Sequence, residues 1–376
     1  MPKVGDLLDD KYRLLALLGE GGTSEVFRAE NTWTGQSVAI KTLLATYARR
    51  ERVVKRFTLE ARIASRLRHP NIAQVLDLGV DDHHGVPFIV QELLEGESLR
   101  DRLDRAPGGR LSISETLALL KPVMGALVAV HRKNIIHRDL KPANIFLARD
   151  HNGAVVPKII DFGIAKVVAE AEGLSMHTQE GVPIGTPLYM SPEQASGDHT
   201  ADAQADVWSM GVVLYEALSG GLPYEGGNNN VVIAKILRDA PRPLDGASLG
   251  LPAAIVAVVE RAIERDRTRR FRTMQQLLAA LLDCRLDEGR QSQESVDTLA
   301  GVLADVPSLD AVLLDSGLLE ESDTVDRIVA PPPPAAASVG EAPAAPPPPL
   351  LTPVSWTEPD PASPRRSSAR DRRGRW

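Results

Sequence analysis

Within the eight residues His137-Arg138-Asp139-Leu140-Lys141-Pro142-Ala143-Asn144, the chain places a carboxylate, a cation and an amide carbonyl. Transfer of a phosphoryl group from ATP calls for those three groups: a carboxylate to orient a hydroxyl nucleophile, a cation at the moving phosphate, and an oxygen ligand for Mg²⁺. Asp139, Lys141 and Asn144 supply them within six residues. An aspartate, a lysine and an asparagine this close are ordinary taken alone. The order of the string is what gives it weight, provided the elements that must position it occur around it.

The ordered string resembles the catalytic loop of the eukaryotic-like Ser/Thr protein kinases. Upstream, the apolar, strand-like run Tyr12–Leu18 ends in Gly19-Glu20-Gly21-Gly22-Thr23-Ser24-Glu25-Val26. Glycines let a backbone approach phosphates closely, and flanking strands would hold such a loop over them. Gly19, Gly21 and Val26 match the kinase pattern, and Ser24 takes its third glycine; read alone, the stretch is a hairpin turn. Val38-Ala39-Ile40-Lys41 is a β-type run whose lysine, by the resemblance, holds the α- and β-phosphates; without it, Lys41 is an edge-strand lysine. Residues 49–67 are rich in helix formers, with Phe57, Glu60, Ile63 and Leu67 on one face. Glu60 is then the partner of Lys41. Phe88–Gly96 resembles the last strand of the small lobe running into the hinge, where adenine would meet backbone groups near Glu92 and Leu94. Gln91 falls at the gate of the rear pocket.

Downstream, Ser114–Lys133 reads as a long helix leading into the loop. Lys158-Ile159-Ile160 is a short strand ending in Asp161-Phe162-Gly163, and His151-Asn152-Gly153 marks a turn that returns the chain towards Asn144. By the resemblance, Asp161 and Asn144 hold Mg²⁺. Gly185–Glu193 is similar to the substrate platform, with Thr186 bonding Asp139 and Lys141, and Glu193 pairing with Arg270. Asp206-Val207-Trp208-Ser209-Met210-Gly211 begins a central helix on which Asp206 braces the catalytic loop.

With motifs in family order from Lys11 to Cys284, the chain is identified as a member of the eukaryotic-like bacterial Ser/Thr kinases. The resemblance implies an α+β, bilobal protein-kinase fold: a β-rich N-lobe over residues 11–94, a helical C-lobe over 95–284, and a disordered C-terminal tail. It implies ATP and Mg²⁺ as cofactors and protein Ser/Thr hydroxyls as acceptors. Asp139 and Lys141 are the catalytic pair and Asn144 and Asp161 the metal ligands. The nucleotide would be held by Gly19, Glu20, Gly21, Gly22, Val26, Ala39, Lys41, Glu60, Glu92 and Leu94. A scaffolding pseudokinase would be expected to have lost Lys41, Asp139 or Asp161. A small-molecule kinase usually lacks Arg138 and the Gly-Thr-Pro…Pro-Glu platform. All of these are present.

Control is expected at Arg138, whose place beside the catalytic aspartate in this family usually accompanies activation-loop phosphorylation. Arg138 and Lys166 are the cations, Thr178 the autophosphorylation site, and Glu180 a fixed negative charge.

Composition sets the frame. The 376 residues are 43% hydrophobic and 25% charged, ample for a core. A lone cysteine, Cys284, excludes an intrachain disulfide and fits a reducing compartment. Met1–Asp10 lacks the apolar core of a signal peptide, and no run is expected to span a membrane; the expected location is the cytoplasm. The net charge of −7 sits in the tail: eleven acids and two arginines from Asp287 to Arg327, then six arginines in the last twelve residues. Residues 1–286 are close to neutral, so no specific nucleic-acid partner is expected. The acidic segment 287–327 carries possible short helices around Leu299 and Leu313 and a possible docking motif. Residues 328–376 form a Pro/Ala-rich spacer and a basic arm.

Overall fold

The computed structural model describes residues 2–162, 187–198 and 202–284. Its first sheet is six-stranded and antiparallel, in the order β1 (Leu7–Leu8), β2 (Tyr12–Glu20), β3 (Ser24–Asn31), β4 (Ser37–Leu43), β6 (Val86–Glu92), β5 (Val75–Asp81). Strand side chains alternate between faces, and the register uses that alternation to sort them. Val38 and Ile40 of β4 are buried in a core with Phe27, Ala29, Phe88 and Val90. Ala39 and Lys41 therefore look the other way. Lys41 lies opposite Val26 of β3 and Ile89 of β6, Ala39 lies opposite Gln91, and Gly19 lies opposite Val26. One face of the sheet thus collects the residues expected to meet a nucleotide.

Helix α1 (Ala45–Ala48) leads into α2 (Glu51–Ser65). The expected helix over 49–67 is shorter at both ends, since Arg66 and Leu67 fold into a terminal turn. Helix α2 serves two cores. Phe57, Ala61 and Ala64 pack on the sheet with Leu43, Val75 and Ile89, while Ile63 and Leu67 join the core of the larger lobe. The helix carrying Glu60 is therefore fixed relative to both.

The chain passes to the second lobe through Leu93–Glu95 and enters β7 (Gly96–Ser98), which pairs with β8 (Ile145–Arg149) and then β9 (Val155–Ile159). Gly96 is held at φ +151°, and a Cβ there would stand 2.1 Å from the Leu147 carbonyl oxygen, so no other residue fits. Ile72 and Ile159 form a parallel bridge, with the Ala73 N–H donating to the Ile159 carbonyl at 2.8 Å. That bridge stitches the strand before Asp161 to the segment that follows α2.

Helix α3 (Leu99–Arg105) starts at a Ser98–Asp101 capping box. Helix α4 (Ile113–His131) is the long helix expected before the catalytic loop. It is apolar and long enough to cross a membrane, but most of it is buried inside the lobe, in contact with the helices Ala203–Ser219 and Met274–Asp283. A helix apolar on every side belongs in the interior. The helix Ala203–Ser219 is the same case, with nearly every residue buried.

Candidate active site

The catalytic-loop residues fold into a tight turn, Pro142–Asn144, directly after an irregular stretch. Lys141 Nζ stands 2.8 Å from Asp139 Oδ2. Asn144 donates its Nδ2 to the Asp139 carbonyl at 2.8 Å and to Asp139 Oδ2 at 3.2 Å. Both bonds use the amide nitrogen, so the side-chain carbonyl oxygen of Asn144 takes part in neither.

The loop owes its shape to a residue far along the chain. Asp206 is fully buried and accepts the N–H groups of His137 and Arg138 at 2.8 Å each, together with His131 Nε2 at 2.7 Å. Burial opposes its ionisation, but the hydrogen bonds and charge of His131 and the His137 N–H outweigh that, so its pKa lies below the usual carboxylate value. Arg138 sits at φ +62°, an uncommon conformation for a side chain with a Cβ, and its carbonyl is taken by Gln194 Nε2 at 3.0 Å.

Across the cleft, Lys41 Nζ lies 2.8 Å from Asp161 Oδ1 and 3.9 Å from Glu60 Oε1. The expected partner Glu60 is present but at the edge of contact range; Asp161 is the nearer anion. Burial works against the Lys41 charge, yet Asp161 and Glu60 hold its pKa above the ordinary lysine value. Burial pushes the Glu60 carboxyl up to about 7, with Asp161 and Asp139 adding to the rise and Lys41 opposing it. Asp161 and Asn144 form an all-oxygen donor set of the kind Mg²⁺ takes. At the glycine loop, a Cβ at Gly19 or Gly22 would meet no atom within 4 Å, so the space beside the backbone is open. These are residues into which Mg²⁺ and triphosphate fit.

Two cavities flank this constellation. One is walled by Arg138, Asp139, Lys141, Tyr189 and Met190. The other is lined by Lys41 and Glu60 and bordered by Gln91 and Phe162. Phe162 is buried with its ring 5.0 Å from that of His137. At the hinge, the Glu92 N–H donates to the Gln74 carbonyl at 3.0 Å, and its carboxylate accepts Lys158 Nζ at 2.7 Å and the Gln74 N–H at 2.9 Å. The side chain of Glu92 thus clamps the lobes together, a use that sequence reasoning missed; Leu94 lies half-buried in the connection.

Glu193 and Arg270 meet as a buried pair, with 2.8 and 3.2 Å bonds. The expectations on Lys166, Thr178, Glu180 and Thr186, and on the segments 287–327 and 328–376, lie outside the described residues.

Two lobes, a glycine loop over a lysine, and an aspartate–lysine–asparagine loop beneath it define a protein-kinase architecture. Residues 12–287 match the protein kinase domain family. Serine/threonine-protein kinase pkn2 of Myxococcus xanthus is 38% identical over 277 residues, covering 73% of this chain and 32% of that protein. PknA of Mycobacterium tuberculosis is 38% identical over 275 residues, 72% of this chain and 61% of PknA. PknL of Mycobacterium bovis is 39% identical over 272 residues, 72% of this chain and 64% of PknL. The chain thus spans between about a third and just under two thirds of the length of these relatives. The kinase domain of Mycobacterium tuberculosis PknI shares the fold, with a TM-score of 0.55 at 24% identity over 75% of this chain and 99% of that one. Rad53 in complex with AMP-PNP gives 0.57 at 23% identity, over 71% of this chain and 64% of that one. The chain belongs to the protein kinase family, among its eukaryotic-like bacterial Ser/Thr members.

Proposed function

We propose that this chain is a Ser/Thr protein kinase that moves the γ-phosphoryl group of ATP to a Ser or Thr hydroxyl of a protein, on the cytoplasmic side where ATP is held. Asp139 accepts a hydrogen bond from the acceptor hydroxyl and aims its oxygen at phosphorus. As the new O–P bond forms and the bond to the β-phosphate oxygen breaks, the hydroxyl proton passes towards Asp139 and ADP departs. Lys141, held 2.8 Å from Asp139, offsets charge on the phosphoryl oxygens. Lys41 grips the nucleotide phosphates and is kept in place by Glu60. Asn144 and Asp161 would hold Mg²⁺, which would supply positive charge to offset that of the nucleotide phosphates.

The backbone of Gly19–Gly22 covers the phosphates, Val26 and Ala39 cover the adenine, and the Glu92 carbonyl and Leu94 N–H fix its edge. The kinase domain is taken as residues 11–284. Regulation is assigned to autophosphorylation of Thr178, with Arg138 and Lys166 as the receiving cations, and Thr186 is assigned to acceptor positioning. A docking partner for the acidic segment belongs to the same proposal.

The observation that best supports this reading is the convergence of Lys41–Asp161 and Lys141–Asp139 on one cleft from opposite lobes. The test is labelled phosphate transfer from Mg²⁺–ATP to a generic protein acceptor. Asp139→Asn and Lys41→Met should each lower the rate by about 100-fold or more while keeping the far-UV circular dichroism of the wild type. Near-wild-type transfer by either variant overturns the assignment.

A further inference from the structure

Helix α2 begins with its charges at the unfavourable end. Residues 49–56, Arg-Arg-Glu-Arg-Val-Val-Lys-Arg, hold five cations against the single acid Glu51. The helix dipole places partial positive charge at this terminus, so cations there are disfavoured and anions are favoured. Arg50 is the N-cap residue, and its side chain accepts no N–H, so the first turn lacks the acceptor that a capping side chain would bring. Arg49, Arg50, Arg52 and Lys55 are exposed. Glu51 offsets one of them, 3.2 Å from Lys55, and the Arg50 guanidinium lies over the Tyr47 ring at 5.2 Å. Among the described residues Arg49 and Arg52 meet no anion, and the buried Nε of Arg56 has no hydrogen-bond partner.

Apolar surface lies beside these charges. Helix α2 packs on β5, the last strand on its side of the sheet. Leu78 of β5 sits against the core beneath α2; Val80, two residues on, shares its face and is 56% exposed. Val53 and Val54 are half-buried against the same core. The chain also contains a segment of matching composition. Residues 287–327 hold eleven acids against two arginines, and Val296, Leu299, Val302 and Val306 recur there at three and four. The 22 residues from 285 to 306 can extend about 70 Å, against a radius of gyration of about 19 Å for a domain of roughly 280 residues. Length therefore sets no limit on where the segment docks. Exposed charge pairs are individually weak, but a tether raises the local concentration to the order of millimolar, so several together hold.

We propose that the basic start of α2, with Val53, Val54 and Val80 beside it, is the docking surface for the acidic segment 287–327 of the same chain. Segment carboxylates meet Arg49, Arg52 and Arg56, and the apolar residues of the segment cover the valines. The partner of the acidic segment is then the chain itself, and docking ties that segment to the helix that carries Glu60. The phosphoryl transfer above assigns these residues no role, and the docking does not depend on it.

Lys55 serves as the reporter. It is 62% exposed, and residues 287–327 contain no lysine. Carbodiimide coupling on the full chain therefore joins the Lys55 amine to segment carboxylates, and peptide mass spectrometry reads the product. An equal mixture of ¹⁵N-labelled and unlabelled chains separates links within one chain from links between two. Lys55 should couple to the segment about tenfold more often than the exposed Lys3 and Lys235 do, and within one chain. Arg49→Gln/Arg52→Gln should cut the yield about tenfold with unchanged far-UV circular dichroism, and raising salt from about 0.05 to 0.5 M should cut it likewise. Amide hydrogen exchange gives a second reading that leaves α2 unaltered. Val296→Ser/Leu299→Ser/Val302→Ser should speed exchange over residues 51–56 about fivefold. Coupling of Lys55 no more frequent than that of Lys3 or Lys235 overturns the proposal. So does a yield unmoved by the arginine substitutions, an exchange rate unmoved by the serine ones, or links that join labelled to unlabelled chains as often as chance. Failure of the wild type to transfer phosphate would count against the kinase reading alone, since neither readout uses it.

Discussion

Asp206 accepts the backbone N–H of Arg138 at 2.8 Å across a sequence separation of 68, and it does so at a residue held at φ +62°. A side chain in that region costs on the order of 1–3 kcal/mol and persists only where its surroundings enforce it. Asp206 holds the N–H of Arg138 and Gln194 its C=O, so the peptide units on both sides of its Cα are fixed. The strained turn sets the direction in which Asp139 leaves the backbone. The backbone leading into Asp139 is therefore fixed by a helix far along the chain.

From this follows a test of positioning rather than chemistry. In Asp206→Asn one oxygen is replaced by an NH₂ group, which cannot accept either N–H. The expected result is a fall in kcat of about tenfold or more with little change in KM for ATP, measured by steady-state kinetics at saturating acceptor. An equal loss in both parameters would place the effect on nucleotide binding.

Breaking the Glu193–Arg270 pair should unfold rather than inactivate. Both side chains are nearly inaccessible, so removing one strands the other charge, at a cost of about 3–5 kcal/mol. Arg270→Met is expected to lower the melting temperature by roughly 10 °C. Replacing both residues with Met should recover much of that loss, which calorimetry on the single and double variants would measure.

The raised Glu60 carboxyl gives a pH signature. Its folded pKa of about 7 exceeds the ordinary 4.5, so between those values the folded state binds more protons than the unfolded one. Stability from this group therefore falls as pH rises from about 4.5 to 7. Without Mg²⁺, the melting temperature of wild type relative to Glu60→Gln should drop by roughly a few degrees between pH 5 and 7.5. On the proposed reading Asp161 would hold Mg²⁺, which would remove one cause of the rise, so saturating Mg²⁺–ATP should flatten the difference. An identical pH profile in the two proteins would contradict the placement of Glu60.

Regulation is tested on the purified chain by phosphosite mapping with Thr178→Ala, Glu180→Gln and the double variant. Glu180 carries one charge against about −1.5 to −2 for a phosphate, so a partial basal activity that Thr178 phosphorylation raises severalfold is expected. No phosphate on Thr178, with unchanged rates in both single variants, removes it as the control site.

Much of the site is legible in the sequence because its chemistry is local. Asp139, Lys141 and Asn144 act within one turn of chain, and the period-two alternation of Val38-Ala39-Ile40-Lys41 already separates core from cleft. The turn at His151–Gly153 and the helix before the catalytic loop are set by residue types within a few positions. Asp206, Glu193 and Arg270 were legible only through family resemblance, since nothing in their local sequence distinguishes them from solvated charges. The tertiary structure alone decided which anion lies nearest Lys41, that Glu92 clamps β9 through Lys158, and that Arg100 reaches Glu216. Each of these joins charges brought together by packing over 66 to 120 positions. A charge carries no mark of its partner in its own neighbourhood; burial, by stripping away the water that would otherwise satisfy it, is what makes that partner specific.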